Sequence, residues 1–385
     1  MKNNKVTDSI IYIGVNDKYI DLFENQYVVP TGITYNSYVI LDDKIAVMDT
    51  VDMRKTDEWL TNLERALNGK KPDYLIVSHM ESDHSDNIEN LANKYPEMKI
   101  VGNMQTFKML SQFFSLDLKD RAVTVKEGDT LNLGKHTLQF IMAPMVHWPE
   151  VMVTYEQSEK ILFSADGFGK FGTVQEDWED EARRYYFNIV GKYGTNVQAL
   201  LAKASKLDIE KICPLHGPIL EENLEYYINK YDTWSSYRPE EDGVLVAYAS
   251  IHGNTEKVAK KFVEILNNKG AKKVELVDLA RADISKTLAD AFKFDKMVVA
   301  SSTYNMEIFT WMDHFIRHLA SKNYQKRKVG IIENGTWAPN SGKLIKEAFS
   351  KMKDITICDT MVTIKSALKE TDIPSLEKLA EEILE

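Results

Sequence analysis

The chain has 385 residues, of which 44% are hydrophobic and 28% charged, and these ordinary globular values exclude a largely disordered protein. Its 58 acidic residues outnumber 48 basic ones, and the formal net charge of −10 argues against general nucleic-acid binding. Two cysteines exclude a disulfide framework, and no apolar run approaches the roughly 18 residues of a membrane span, so we expect a reduced, cytoplasmic protein without membrane association.

The first half of the chain predicts short strands with helices between them. YNSYVIL and KIAVMDT flank Asp42–Asp43 and are typical of a hairpin. The apolar run YLIVS (Tyr74–Ser78) predicts a buried strand, and MVTYEQSEKILFSAD (Met152–Asp166) predicts a second hairpin. This mixture of strands and helices indicates α/β layers.

Metal-ligating side chains are densest directly after the strand YLIVS. The stretch SHMESDHSD carries His79, Glu81, Asp83 and His84. Because side chains of an extended segment alternate in direction, we expect His79 and Glu81 to serve one ion and the other two a second. A polar surface loop is the alternative interpretation.

Three further candidate ligands lie near other strand ends. His147 is in APMVHWPE, Asp166 ends ILFSAD, and His216 is in CPLHGP. Each has a local explanation, since Asp166 can cap a turn and His216 can be a packed loop residue. Together with the first cluster, however, they predict a site for two metal ions. His136, in the turn-like GKHT, is expected at the surface.

The second half of the chain alternates strands with helices more regularly. It follows the polar stretch YDTWSSYRPEEDG (Tyr231–Gly243), so we divide the chain into domains of residues 1–240 and 241–385. The predicted strands are VLVAYAS, KVELVDL, KMVVASS, KVGIIEN and ITICDTMVTI. This alternation indicates a doubly wound parallel sheet.

The first strand–helix turn of this half has the features of a phosphate-binding loop. Hydroxyl groups, backbone N–H groups and a helix N-terminus meet there, and no lysine is present. The Walker A pattern is absent, which favours flavin mononucleotide (FMN) over a nucleoside triphosphate, and a simple helix cap is the alternative. The predicted binding residues are Ser250, Ile251, His252, Gly253, Asn254 and Thr255.

Two later loops follow the third and fourth strands of this half. Ligands of doubly wound sheets bind at the carboxyl ends of strands, and the aromatic faces of Tyr304 and Trp337 suit a flat isoalloxazine ring. Plain packing is the alternative role for both aromatic residues. The predicted flavin-binding residues here are Ser302, Thr303, Tyr304, Asn305, Asn334, Gly335, Thr336 and Trp337.

These motifs together resemble the flavodiiron proteins over nearly the whole chain. HxExDH, with the later His, Asp and His, is similar to the HxHxDH run of metallo-β-lactamase-fold hydrolases, except that Glu81 replaces a histidine. HWP, FSADGFGKFG and YYFNIVGKY carry the resemblance further. It implies an N-terminal metallo-β-lactamase-like αββα sandwich and a C-terminal flavodoxin-like doubly wound parallel sheet.

The resemblance also implies roles for individual residues. Asp166 is expected to bridge two irons, and His84 is a further candidate ligand whose counterpart binds iron only in some relatives. Tyr193 matches a tyrosine near the open face of the iron pair, although a packing role is equally open. Glu81 adds negative charge, which suits iron. The implied ligands are His79, Glu81 and His147 for one iron, and Asp83 and His216 for the other.

The activity implied by the resemblance is reduction of O2 to water, of NO to N2O, or both, and we favour O2. Electrons are expected to come through FMN from a separate donor protein such as rubredoxin, because the chain lacks the CxxC pairs of an appended rubredoxin module. A head-to-tail homodimer, or a dimer of dimers, is implied as well. The alternatives are a zinc-dependent hydrolase with a regulatory flavodoxin domain and an electron carrier without a metal site.

Overall fold

A computed structural model describes residues 4–174 and 178–385, and the chain divides into two units. Unit 1 comprises Met1–Tyr186 and Thr195–Asp232, and unit 2 comprises Phe187–Gly194 and Thr233–Glu385. Within the described residues, no helix is both long and apolar enough to cross a membrane.

Unit 1 contains two sheets of short strands. In the first, β1, β6, β7, β8, β9 and β10 lie side by side in that order, and in the second β11 to β15 are neighbours in chain order; the remaining strands form two small pairs. The strands are β1 (Ile10–Tyr12), β2 (Val15–Asp17), β3 (Leu22–Phe23), β4 (Tyr27–Val28), β5 (Ile33–Tyr35), β6 (Tyr38–Ile40), β7 (Ala46–Met48), β8 (Tyr74–Ile76), β9 (Lys99–Gly102), β10 (Ala122–Thr124), β11 (Thr130–Asn132), β12 (Thr137–Met142), β13 (Met152–Glu156), β14 (Ile161–Phe163) and β15 (Lys211–Cys213).

The two sheets share one hydrophobic core. Met48 and Ile76 of the first sheet belong to the same buried cluster as Phe140 and Phe163 of the second. Both predicted hairpins are present, since β6 pairs antiparallel with β7 and β13 with β14. The helices are α1 (Thr56–Leu67), α2 (Ser82–Ser85), α3 (Ile88–Lys94), α4 (Met104–Phe113), α5 (Trp178–Tyr185), α6 (Gly194–Ala204) and α7 (Leu224–Ser235). Two sheets on one core agree with the predicted metallo-β-lactamase-like sandwich.

Unit 2 contains one twisted sheet with the neighbour order β17, β16, β18, β20, β21, and β19 pairs with β18. All pairings in the main order are parallel, so the predicted flavodoxin-like doubly wound sheet is confirmed. The elements are β16 (Glu241–Ala249), α8 (Asn254–Asn268), β17 (Val274–Asp278), α9 (Ile284–Lys293), β18 (Phe294–Tyr304), β19 (Glu307–Ile308), α10 (Thr310–Ser321), β20 (Arg327–Asn334), α11 (Ser341–Phe349), β21 (Ile355–Ile364) and α12 (Ile373–Leu384).

A short segment from earlier in the chain completes unit 2. Within Phe187–Gly194, the Phe187 ring stacks on Phe292 with 4.0 Å between ring centroids. The Asn188 side chain donates a hydrogen bond of 2.9 Å to the backbone carbonyl of Ser285. The second fold therefore depends on residues that precede its first strand by about 50 positions.

Candidate metal centre and cofactor cleft

Loops at the ends of four strands supply the predicted metal ligands. The segment after β8 runs directly into α2, and both provide ligands there. The other ligands follow β12, β14 and β15. Parallel pairing of β7 with β8 and of β14 with β15 brings the corresponding carboxyl ends together within each sheet. The structure gathers seven predicted ligands into two neighbouring groups: His79, Glu81, His147 and Asp166 in the first, and Asp83, His84 and His216 in the second.

The first group has close contacts between imidazole and carboxylate. His147 Nε2 lies 2.9 Å from Glu81 Oε2 and 3.0 Å from Asp166 Oδ2. His79 Nε2 lies 3.2 Å from the same Asp166 oxygen. Two imidazoles and two carboxylates thus converge on one small volume, which is a donor set that iron, manganese or zinc accepts.

The second group is almost entirely buried. His84 Nε2 lies 3.0 Å from His216 Nε2 and 3.4 Å from Asp83 Oδ2. His216 Nε2 is 3.2 Å from the same Asp83 oxygen. His84 therefore faces the cluster with the same nitrogen as His216, and the structure places it among the candidate ligands.

Asp166 lies between the two groups. Its Oδ2 faces the first group, while its Oδ1 is 3.8 Å from the Nε2 atoms of both His84 and His216. Oδ1 is buried without a hydrogen-bond partner, as are both carboxylate oxygens of Asp83. Buried carboxylates without partners are costly, and metal ions at the two groups would compensate them. The centre thus fits two metal ions with Asp166 shared between them.

The imidazole and carboxylate groups of the cluster shift one another's pKa. Burial alone would lower the pKa of His147, but Asp166 and Glu81 raise it to about 9. Burial opposes ionisation of Glu81, yet His147 and His79 lower its pKa to about 2. His84 differs, because burial and the neighbouring His216 lower its pKa to about 4 despite Asp83. In the absence of metal, protons therefore occupy imidazole groups of the first group.

Supporting residues that the sequence analysis missed fix the ligand-bearing loops. Buried Asp49 accepts hydrogen bonds from the Ser78 backbone N–H at 2.6 Å and the Ser78 hydroxyl at 2.7 Å. Buried Glu150 accepts one from the Met80 backbone at 2.7 Å. Both acids thus hold the residues on either side of His79. Asp49 follows an apolar strand, as Asp166 does, and this pattern could have identified Asp49 from the sequence.

His216 is oriented by its other ring nitrogen. Its Nδ1 lies 2.7 Å from the Thr34 backbone carbonyl, to which it donates. That bond leaves Nε2 facing the cluster, as outer-shell partners of metal-bound histidines usually do. The rings of Phe23 and Tyr35 pack against the imidazole at centroid distances of 5.3 and 6.0 Å.

A cavity of about 260 Å³ adjoins the cluster. Glu81 and Asp83, one from each ligand group, line it together with Phe23, Tyr35 and Arg54. Its volume lies below the roughly 300–1,000 Å³ of drug-sized ligand pockets. A very small substrate is therefore the best match.

Unit 2 contains a larger cleft of about 500 Å³ at the carboxyl ends of its strands. All predicted flavin-binding residues line it except Gly253. Gly253 is the N-cap of α8 and has a φ of +82°. The sequence analysis missed Met306, Ala338 and Ser366, which also line the cleft. Met306 and Ala338 adjoin predicted loops, whereas Ser366 follows the fifth strand and had no motif to mark it.

Hydroxyl groups hold the loops of this cleft together. Thr303 Oγ1 accepts hydrogen bonds from the backbone N–H groups of Asn340 and Ser341 at 2.9 and 3.0 Å. The hydroxyls of Thr255 and Ser302 lie 2.9 Å apart, which joins the first loop to the second. Trp337 is 82% exposed, so its ring is available to a ligand at the edge of the cleft.

Two other sequence predictions have different outcomes. The expectation that His136 lies at the surface is wrong, because it is buried and its Nδ1 is 2.8 Å from Asp42 Oδ2. Tyr193 is half-buried in the short 3₁₀ segment Gly191–Tyr193, with the Lys192 ammonium 5.8 Å from its ring centroid. Its catalytic role stays a prediction.

Comparison with known families assigns a separate match to each half of the chain. Residues 33–217 match the family described as ODP family beta lactamase. Residues 245–360 match the family described as Flavodoxin domain. The first match contains all seven candidate metal ligands, and the second contains the loops that line the cleft apart from Ser366.

Full-length relatives share both halves. An uncharacterized protein of Methanocaldococcus jannaschii is 31% identical, over 95% of this chain and 94% of its own. A nitric oxide reductase of Moorella thermoacetica is 28% identical, over 98% and 97%. The solved structure of rubredoxin oxygen:oxidoreductase from Desulfovibrio gigas matches with a TM-score of 0.92 and 27% identity, covering 99% of this chain and 97% of that one.

Proposed function

Because the chain belongs to the flavodiiron protein family, we propose that it is an oxidoreductase that reduces O2 to water, NO to N2O, or both, with O2 preferred. The observation that carries this proposal is the position of Asp166, whose two oxygens each face one group of candidate metal ligands. A carboxylate shared between two sites can hold two metal ions close enough to act together. The names of relatives support both gases as substrates.

Two irons are the metals we assign to the centre. His79, Glu81 and His147 would hold one, Asp83 and His216 the other, with Asp166 shared and His84 beside the second. When bound, the iron pair and FMN supply the redox chemistry, storing two electrons each and so the four that convert O2 to two waters. Glu81 favours iron over zinc because a carboxylate stabilises the higher charge of oxidised iron.

FMN is the cofactor we assign to the cleft of unit 2. The N-terminus of α8, preceded by the hydroxyl of Ser250, offers N–H groups and a partial positive charge to the phosphate. The loops after β18 and β20 offer amides and the aromatic rings of Tyr304 and Trp337 to the isoalloxazine. The cleft volume of about 500 Å³ is in the range of cofactor sites.

The residues around the metal centre restrict what reaches it. The adjoining cavity of about 260 Å³ admits a diatomic gas and is too small for a drug-sized molecule. Phe23 and Tyr35 cover His216 on the cavity side, and Arg54 is held by Asp52 at 2.7 Å. The chain thus encloses the candidate ligands while leaving Glu81 and Asp83 accessible from the cavity.

The proposal also covers the roles of the two domains, the electron donor, the oligomeric state and the cellular compartment. We assign residues 1–240 to the diiron function and residues 241–385 to FMN binding, with Tyr193 as a candidate catalytic residue. A rubredoxin-type protein is the proposed electron donor, supported by the name of a relative. A head-to-tail homodimer in the cytoplasm completes the proposal, and the two buried free cysteines are consistent with a reducing compartment.

No observation favours a zinc hydrolase with a regulatory flavodoxin domain. The hydrolase pattern has a histidine where this chain has Glu81. Two relatives of this chain are named as a nitric oxide reductase and a rubredoxin-oxygen oxidoreductase. An electron carrier without a metal site is equally unsupported, because the candidate ligand set is complete.

The proposal is tested by cofactor content and gas consumption together. Protein purified without oxygen should contain about two irons and one FMN per chain and should consume O2 or NO when reduced rubredoxin is supplied. The ratio of the two rates identifies the preferred gas. Zinc in place of iron, with no consumption of either gas, would overturn the proposal.

A further inference from the structure

A second cluster of metal-ligating side chains lies in unit 1. His136, Glu156 and Glu159 each place one ligand atom within 4.8 Å of the others. They come from the turn before β12, the end of β13 and the turn before β14. None of them belongs to the two ligand groups described above.

The imidazole of His136 is held in one orientation. Its Nδ1 lies 2.8 Å from Asp42 Oδ2, and the same oxygen accepts the His136 backbone N–H at 2.7 Å. Gly134 permits this approach, because at its φ of +134° a Cβ atom would lie 2.6 Å from Asp42 Oδ1. Nε2 therefore faces away from Asp42, toward Ser9 Oγ at 3.0 Å and Glu159 Oε1 at 3.8 Å. A carboxylate behind the imidazole is the usual outer-shell partner of a metal-bound histidine.

Hydrogen bonds hold both glutamate side chains in position. Glu156 is fully buried and accepts the backbone N–H groups of Ser158 and Glu159 at 2.9 and 2.6 Å. Glu159 Oε1 accepts the Ser9 hydroxyl at 2.9 Å. Glu159 Oε2 is buried and has no hydrogen-bond partner.

The cluster carries more negative charge than its single imidazole can balance. In the part of the chain that the structure describes, no lysine or arginine forms an ion pair with Asp42, Glu156 or Glu159. The adjacent Lys160 instead pairs with Asp208 and Glu210. Among the carboxylate oxygens of these three acids, Glu159 Oε2 is the one that is buried without a hydrogen-bond partner, and a bound cation would compensate it.

We propose that His136, Glu156 and Glu159 form a third metal site, which takes a divalent transition-metal cation such as Mn²⁺ or Zn²⁺. One imidazole with two carboxylates suits that class, whereas Mg²⁺ and Ca²⁺ prefer oxygen ligands alone. The role is structural, since the site joins the turn before β12 to the turn between β13 and β14. It is independent of the O2 and NO chemistry.

Ser9, His136 and Asp42 also form a serine–histidine–aspartate sequence of contacts. Ser9 Oγ lies 3.0 Å from His136 Nε2. The Ser9 hydroxyl, however, donates its single hydrogen to Glu159. A nucleophile must pass that hydrogen to the histidine, so this arrangement does not support nucleophilic catalysis by Ser9.

The test is a Mn²⁺ titration of the holoprotein. The electron paramagnetic resonance signal of free Mn²⁺ measures how much of the added Mn²⁺ remains unbound. Wild-type protein should bind one Mn²⁺ per chain beyond its iron, and Glu159→Gln should weaken that binding at least about tenfold. The matched control is Glu210→Gln, an exposed acid next to Lys160 that should leave it unchanged.

A second measurement covers the case in which Glu159→Gln folds poorly. Mn²⁺ or Zn²⁺ should raise the Tm of the wild type and of Glu210→Gln, and anomalous diffraction should place the ion beside His136 Nε2. Equal Mn²⁺ binding by wild type and Glu159→Gln would overturn the proposal. So would the absence of both extra binding and an anomalous peak in the wild type.

Discussion

At the scale of single residues, the identity of the metal centre depends on its carboxylates. Glu81 and Asp166 both contact His147, and Glu81 also faces the cavity. Among the three candidate carboxylate ligands that the structure describes, Asp166 is the one whose oxygens face both groups. An imidazole at position 81 would remove one negative charge from the first group and make it more like a zinc site.

Glu81→Gln should therefore reduce iron content below two per chain and lower O2 or NO consumption at least about 100-fold, beyond the usual effect of losing an outer-shell partner. Iron analysis and gas-consumption rates measure both effects. The control is Glu89→Gln in the first turn of α3, which should behave as wild type. Full activity in Glu81→Gln would contradict its assignment as a ligand.

The protonation of the first ligand group predicts how metal uptake depends on pH. His147, with a pKa of about 9 in the metal-free cluster, is protonated below that pH, whereas Glu81, with a pKa of about 2, stays ionised. Metal must displace the imidazole proton, so Fe²⁺ affinity should rise about tenfold per pH unit from 6 to 8 for each proton released. Competition with a chelator at three pH values measures this, and a pH-independent affinity would contradict it.

At the scale of elements, the predicted phosphate-binding turn depends on the conformation of one glycine. Gly253 caps α8 with a φ of +82°, and Gly270 follows the same helix with a φ of +85°. A Cβ atom at Gly270 would meet nothing within 4 Å, and at Gly253 only the end of Glu256 at 3.9 Å. A side chain at either position would therefore be strained by the backbone conformation alone, but only Gly253 adjoins the cleft.

Gly253→Ala and Gly270→Ala should each lower the free energy of unfolding by about 1–2 kcal/mol, because alanine is strained in the left-handed region. Only Gly253→Ala should also weaken FMN binding, by about tenfold, since a shift that relieves the strain moves the loop N–H groups. Denaturant unfolding and flavin titration separate the two effects. Equal FMN affinity in both variants would show that this turn does not hold the phosphate.

Strand ends explain why so much of the candidate sites was predictable from the sequence. Candidate ligands follow apolar strands, and the carboxyl ends of paired parallel strands meet, so His79 and His216 could be predicted as candidate ligands from the sequence. His136 could not, because its burial depends on Asp42, which is 94 positions away. Ser366 was missed as well. It lines the cleft because the fifth strand, which precedes it, lies next to β20 in the sheet, and the sequence does not give that strand order.

At the scale of the whole molecule, no single boundary separates the two units, because each unit contains two segments of the chain. Phe187–Gly194 belongs to unit 2, although it lies between parts of unit 1. Phe187 is fully buried and stacks on Phe292 at 4.0 Å. The sequence boundary at residue 240 did not reveal this, because an aromatic in a helical stretch carries no sign of which core it joins.

Phe187→Ala should therefore destabilise the flavodoxin-like unit by about 3–5 kcal/mol, the usual cost of emptying a buried phenylalanine site. Loss of bound flavin during denaturant unfolding reports that unit directly. Phe113→Ala, at a position that is 43% exposed, is the control and should cost far less. An unchanged flavin-release midpoint in Phe187→Ala would contradict the assignment of this segment to unit 2.

Mössbauer spectroscopy of ⁵⁷Fe-loaded protein tests the central claim, a pair of irons sharing Asp166, most directly. A shared carboxylate holds the metals close enough for their spins to couple. The oxidised protein should therefore show iron with a diamagnetic ground state in an applied field. Magnetically split spectra from isolated ferric ions would contradict a shared Asp166 and the two-metal centre built on it.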